Sequence, residues 1–195
     1  MLEDLAQDIL DVGMNSAAAQ ARRLVVRLIE DLEADRFTVF IGDDGKGMSA
    51  YMRECVLDGY ATTKGGKPLG LGIAMLREAA DLCEGKFRLF SRPNKGTILL
   101  VTMKHSHIDR PPLGDIAASI AALCCAEGNM AVRFEHRRGL SEFLFDSMEF
   151  LGHKKHSEGL TAGDFIEIER VVQDGLETME DRLAEKELAS LETHC

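Results

Sequence analysis

The chain has 195 residues, 45% of them hydrophobic and 29% charged, and Lys+Arg 23 against Asp+Glu 33 leaves a net charge of -10. That length suits one good core, or a domain with a smaller appendage, and the acidic balance argues against a nucleic-acid partner because it repels a phosphodiester backbone. No apolar run approaches membrane-spanning length, the start Met1-Leu2-Glu3-Asp4 has neither the basic nor the apolar region of a signal peptide, and the five cysteines form no CxxC. A cytoplasmic protein with reduced thiols and no membrane contact is expected.

In chain order, residues 2–20 read as a helix: Leu5, Ile9, Val12 and Ser16 form one stripe, and Asp8, Asp11 and Asn15 form the stripe beside it. Residues 23–31 read as a strand, Glu33-Ala34-Asp35 as a turn, and Phe37 to Ile41 as a second strand. A short helix fits Ala50 to Leu57. Residues 58–69 carry Gly and Lys without periodicity and read as a loop. A helix from Leu71 to Cys83 stops at Gly85. Strands Lys86 to Ser91 and Thr97 to Lys104 flank Pro93-Asn94-Lys95-Gly96 as a hairpin. Ser106 to Pro112 reads as a linker, since two prolines cannot continue a strand. A helix over Leu113 to Ala126 follows, with Cys124-Cys125 on a packing surface. Strands Met130 to His136 and Leu140 to Phe145 come next, then a long amphipathic helix from about Ala162 to Leu191 that Thr161 and Asp164 can cap. A mixed sheet with helices on one face is the economical packing. The composition shift at the linker divides the chain into residues 1–105 and a C-terminal extension, 106–195.

Three segments carry chemistry: Asp11-Val12-Gly13-Met14-Asn15, Asp43-Asp44-Gly45-Lys46-Gly47, and Thr62-Thr63-Lys64 leading into Gly70-Leu71-Gly72. Each alone is common. In this order, on a helix, a strand end and a loop-to-helix junction, they describe a pocket for ATP and Mg²⁺. A triphosphate of about four negative charges normally travels with Mg²⁺, which prefers oxygen ligands and keeps several waters. Asn15 can supply one neutral oxygen. Asp11, one turn earlier, points the same way and can orient or deprotonate a water near the γ-phosphate. A carboxylate at Asp43 suits the exocyclic amine of adenine. Gly45 and Gly47 allow a tight turn, and Met48 can pack on the base. Lys64 and Lys67 can meet phosphate charge. Gly70-Leu71-Gly72 opens a helix whose free N–H groups favour an anion. The pairs His105/His107 and His153/His156 lack companion ligands and are not read as a metal site.

Over roughly residues 2–104 these motifs resemble the GHKL ATPases, the family of type II topoisomerase, heat-shock chaperone and mismatch-repair ATPase domains, histidine-kinase catalytic domains and anti-sigma-factor kinases. The resemblance implies an α+β fold: a two-layer α/β sandwich of the GHKL type, here with a smaller C-terminal α+β extension. It implies that Asn15 ligates Mg²⁺, that Asp43 rather than Asp44 reads adenine, that Thr97 supports that contact through water, and that residues 58–69, with Thr62, Thr63, Lys64 and Lys67, form an ATP lid. Hydrolysing members carry Glu where this chain has Asp11, which is shorter by one methylene and implies slow turnover. Three activities stay open: a nucleotide-dependent regulator, a protein kinase, and a plain ATPase. The chain begins at the Asn-bearing helix, which argues against an intact sensor histidine kinase, and no transducer domain of the topoisomerase kind is expected. The segment Ser106 to Asp115 is similar to small bacterial ATP-binding proteins that accompany iron-only hydrogenases and related redox enzymes. A protein partner is therefore expected, either a redox complex or a signalling protein. Self-association as a homodimer is left open.

Overall fold

Alternation of buried and half-covered residues builds the sheet. In β1 (Arg23–Asp31) Leu24, Val26 and Leu28 are buried and their neighbours only partly so. β2 (Arg36–Asp43) and β4 (Thr97–Lys104) repeat the pattern with Phe37, Val39 and Ile41 and with Leu99, Val101 and Met103. β3 (Lys86–Ser91), β5 (Ala131–Arg138) and β6 (Ser141–Asp146) complete a six-stranded sheet in the order β3-β4-β2-β1-β5-β6. Every neighbouring pair is antiparallel except β1 and β5, which run parallel with Leu24 beside Val132 and Leu28 beside His136. The computed structural model describes residues 4–57, 71–128, 130–152 and 160–192.

Helices α1 (Leu5–Ala18), α3 (Leu71–Leu82), α4 (Ile116–Cys124) and α6 (Ala162–Glu192) cover the apolar face, with α1 against α3 and α4, and α4 against α6. α2 (Ala50–Leu57) adds Val56 to the core, and α5 (Ser147–Leu151), a single turn absent from the sequence reading, adds Leu151. One hydrophobic cluster runs from Leu5 and Ile9 through the strands to Ile120 and Leu123 and on to Ile168 and Val172. The fold is thus the expected α+β layering of helices on one face of a mixed sheet. Residues after 105 extend that sheet and share that core.

Local differences have local causes. After α3 the chain turns on Glu84, whose φ of 54° is left-handed, and not on Gly85. Gly85 is needed instead for close approach, because a Cβ there would run into the Thr102 carbonyl of β4. The helix expected from Leu113 begins at Ile116, since the Asp115 side chain accepts from the Ala118 N–H and caps it. Cys124 is buried, whereas Cys125, the C-terminal cap, is exposed. At α6 the expected cap is present: the Thr161 N–H and hydroxyl donate to Asp164 Oδ2 at 2.8 and 2.6 Å, and the Asp164 N–H returns to Thr161 Oγ1 at 3.3 Å.

At the far end of β1 from Asp43, Glu30 gathers three chain segments. His136 Nε2 of β5 lies 2.8 Å from one carboxylate oxygen, His105 Nε2 just past β4 lies 2.6 Å from the other, and Arg138 Nε stands 3.7 Å away. Burial pushes the Glu30 carboxyl up, but the bonds from His136 and His105 and the nearby positive charge outweigh it and hold the pKa at about 2. An ionised carboxylate only accepts, so both imidazoles donate from Nε2.

Candidate functional site

α1 begins at Asp4, whose side chain accepts from the Gln7 N–H. Its helical period then points Leu5, Ile9, Val12 and Ser16 into the core and leaves Asp11 and Asn15 half-buried on one rim. Gln7 Nε2, one turn before Asp11, donates to Asp11 Oδ1 at 3.3 Å.

β2 delivers Asp43 to this rim, opposite Leu24 on one side and Thr97 on the other. Its carboxylate is already oriented: Ser16 Oγ donates to Oδ2 at 2.9 Å and the Gly45 N–H donates to Oδ1 at 2.8 Å. Two oxygens offer about four acceptor positions, so capacity for a further donor remains. Asp44 faces elsewhere and accepts from the Arg22 and Arg23 N–H groups at 2.7 and 2.8 Å, which fixes the entry to β1. The two adjacent acids therefore divide their work, one facing α1 and one holding the chain.

The turn after Asp43 is clamped by the β3–β4 hairpin. Gly47 has φ 60°, and the Arg92 carbonyl occupies the space a Cβ would take. The Met48 N–H donates to Ser91 Oγ at 2.8 Å, and Ser91 Oγ in turn donates to the Gly96 carbonyl at 3.0 Å and lies 2.9 Å from Thr97 Oγ1. The Met48 side chain packs against the core.

α3 closes the rim. A Cβ on Gly72 would sit 2.6 Å from the Asp8 carbonyl oxygen and 2.9 Å from Asp11 Cβ, so the start of α3 is pressed onto α1 beside Asp11. Leu71 is 48% exposed. Gly72→Ala is accordingly expected to destabilise by about 1–3 kcal/mol through forced separation of the two helices. In an open helix position the same change would stabilise by up to about 1 kcal/mol. The sign of the shift in a urea titration decides between a tight and a loose α1–α3 junction.

The structure thus brings Asp11, Asn15, Asp43, Gly45, Gly47, Met48, Leu71, Gly72 and Thr97 to one end of the sheet. Thr62, Thr63, Lys64, Lys67 and Gly70 lie outside the described residues. The sequence reading missed Ser16, Asp44 and Ser91 as the groups that orient the turn. A hydroxyl within the apolar stripe of α1 was the one available signal for Ser16. His105 bonds Glu30, and among the described residues no group of His, Cys, Asp and Glu could hold a metal ion by itself. His153 and His156 are outside the described residues. No described helix is long and apolar enough to cross a membrane.

The family of histidine kinase-, DNA gyrase B- and HSP90-like ATPases has a model that matches residues 1–107. No curated protein matches the chain. Among solved structures, the N-terminal domain of a DNA repair protein is similar with TM-score 0.52 and 16% identity, covering 74% of this chain and 53% of that one. The chain therefore spans about half the length of that domain, and the likeness is one of fold. The histidine kinase domain of a blue-light activated histidine kinase from Erythrobacter litoralis EL346 matches at 18% identity and TM-score 0.29, over 43% of this chain and 33% of that one. With more than half of its length matched by the family model, the chain belongs to the histidine kinase-, DNA gyrase B- and HSP90-like ATPases.

Proposed function

We propose that this protein binds ATP with Mg²⁺ and acts as a nucleotide-dependent regulator or protein kinase on a partner protein. The observation that carries the proposal is the Asp43 carboxylate, pre-oriented by Ser16 and Gly45 at the rim where α1, β2 and α3 meet. A fixed acceptor of this kind suits the adenine amine, because the site pays little to organise it at the moment of binding. The donor set also fits a magnesium triphosphate. Asn15 offers a neutral oxygen on the same rim, and the first N–H groups of α3 lie where Gly72 allows close approach to α1. Mg²⁺, when bound, would offset phosphate charge.

Asp11 is the candidate for orienting the attacking group, held in turn by Gln7. Its short side chain places a water poorly for in-line attack, and a misplacement on the order of 1 Å costs roughly a hundredfold. Turnover by the isolated protein is therefore expected below about 1 s⁻¹, the low edge of ordinary enzymes. Asp11→Asn should lower that residual rate at least about tenfold while ATP affinity stays nearly constant. Lost binding in this variant would make Asp11 a structural residue. The partner is expected to be a protein of a redox or signalling system. The segment that suggests a redox enzyme lies along α1, where the Leu5 and Ala6 N–H groups donate to the Pro112 and Leu113 carbonyls at 3.0 and 2.9 Å.

Incubation with γ-labelled ATP, with and without cell extract, tests the proposal. Nucleotide binding alone with slow phosphate release, and label on a second protein only in extract, would support the partner-directed role. Fast release without extract would leave a plain ATPase, and no binding at all would sink both.

A further inference from the structure

The β3–β4 hairpin carries a cleft that the nucleotide site does not use. Phe90 and Ile98 are directly paired across the two strands and are 56% and 44% exposed, on the side opposite the buried Leu99 and Val101. With Arg53 of α2 and with Arg92 and Lys95 of the hairpin turn they line a cleft of about 310 Å³. No acidic side chain lines it among the described residues.

The lining is cationic without a counter-charge. Four arginines elsewhere do stand beside carboxylates: Arg27 and Arg133 share Glu135, Arg36 meets Asp31, and Arg138 lies near Glu30. Arg53, Arg92 and Lys95 have no such ion pair among the described residues. Three cations therefore converge around two exposed apolar side chains, in a protein of net charge -10.

We propose that this cleft docks an acidic segment of a partner protein. One large apolar side chain of that segment would pack over Phe90 and Ile98, which stand side by side as cross-strand partners, with carboxylates meeting Arg53, Arg92 and Lys95. An acidic peptide is favoured over a nucleic acid or an anionic membrane on two grounds. The apolar floor needs an apolar anchor to cover it, and beyond the cleft the acidic chain repels an extended polyanion. The cleft also adjoins the turn that bears Asp43. The Asn94 N–H donates to the Lys46 carbonyl at 2.7 Å, and Gly96 lies so close to the Asp43 carbonyl that no Cβ would fit. A segment held on the hairpin thus borders the adenine side of the nucleotide site, and any coupling of the two affinities must be reciprocal. The proposal rests on the partner-directed role above and needs no phosphate transfer.

Fluorescence anisotropy with a labelled peptide carrying one Phe flanked by glutamates, beside a lysine-substituted twin, tests it. The acidic peptide should bind and its twin should not. Arg53→Glu combined with Lys95→Glu, and separately Phe90→Ser, should each weaken the acidic peptide at least about tenfold. Arg170→Glu combined with Arg182→Glu, a charge-matched change on exposed positions of α6, should leave binding unchanged. ADP affinity by calorimetry is read alongside, and in the Phe90→Ser protein it should equal that of the parent. Equal peptide affinity in the cleft variants, or an equal loss in the α6 control, overturns the proposal. So does binding of phosphatidylglycerol vesicles or single-stranded RNA that depends on Arg53 and Lys95 while the peptide fails to bind. Absence of ADP binding in the parent protein would sink the nucleotide reading alone and leave peptide docking as measured.

Discussion

Asp43→Asn is expected to weaken ADP and ATP about a hundredfold while the fold stays nearly as stable as the parent. The carboxylate has two internal donors, Ser16 Oγ and the Gly45 N–H. An amide can keep both contacts if its oxygen takes the Gly45 N–H and its nitrogen donates to the Ser16 hydroxyl, which can turn to accept. The backbone turn therefore survives. What changes is the outward side, where an amide N–H would confront the amine of adenine. Replacing an acceptor with a donor at a buried contact costs on the order of 3 kcal/mol, or about a hundredfold in affinity. Calorimetric titration with ADP, paired with a urea midpoint, separates the two effects. Full nucleotide affinity in a well-folded variant would move adenine recognition away from Asp43.

Glu30→Gln should be the most destabilising single change of charge in the protein, at roughly 2–3 kcal/mol. The carboxylate is 12% exposed and accepts from two imidazoles that belong to distant parts of the chain. A glutamine offers one oxygen and turns an N–H toward the second imidazole. His136 cannot answer by changing tautomer, because its Nδ1 is buried without a hydrogen-bond partner and would then carry the proton there. The pH dependence follows from the depressed Glu30 carboxyl. Its stabilising contribution is fully present above the ordinary value of 4.5 and is lost as pH falls through about 2. The gap in stability between parent and Glu30→Gln should therefore be widest near neutral pH and narrow across that acid window. A gap that stayed constant down to the acid limit would mean that the carboxylate charge is not what holds the three segments together.

How far the sequence carried depends on how local each signal was. The alternation in β1 and the Pro93 to Gly96 turn are contained in a few consecutive residues, and both match the structure. Helix α6 and its Thr161–Asp164 cap were legible for the same reason. The parallel pairing of β1 with β5 was not, because it joins strands about a hundred residues apart and parallel partners leave no turn between them to announce the register. The Glu30 cluster depends on that pairing, so His136 looked like an unremarkable strand residue. In the candidate site, Asp11, Asn15, Asp43 and Gly72 stand in short motifs readable from consecutive residues, while the Ser16 hydroxyl on the Asp43 carboxylate and the Ser91 hydroxyl on the Met48 N–H are contacts across 27 residues or more and became visible only in three dimensions.

The single parallel contact in the sheet also sets an order of events during synthesis. β1 emerges early and pairs with β2 on one side at once, as adjacent antiparallel strands do. Its other edge carries the backbone groups that β5 will later take, and β5 arrives only after β4, the linker and α4 have been made. Until then Leu24, Val26 and Leu28 belong to a sheet with an open border, the kind of edge that pairs with whatever extended chain comes near. A fragment ended at residue 105 would keep that border permanently. The last ninety residues therefore act as the seal on the first half of the molecule, and the time the ribosome needs to deliver them is the time during which that border of β1 stays unpaired.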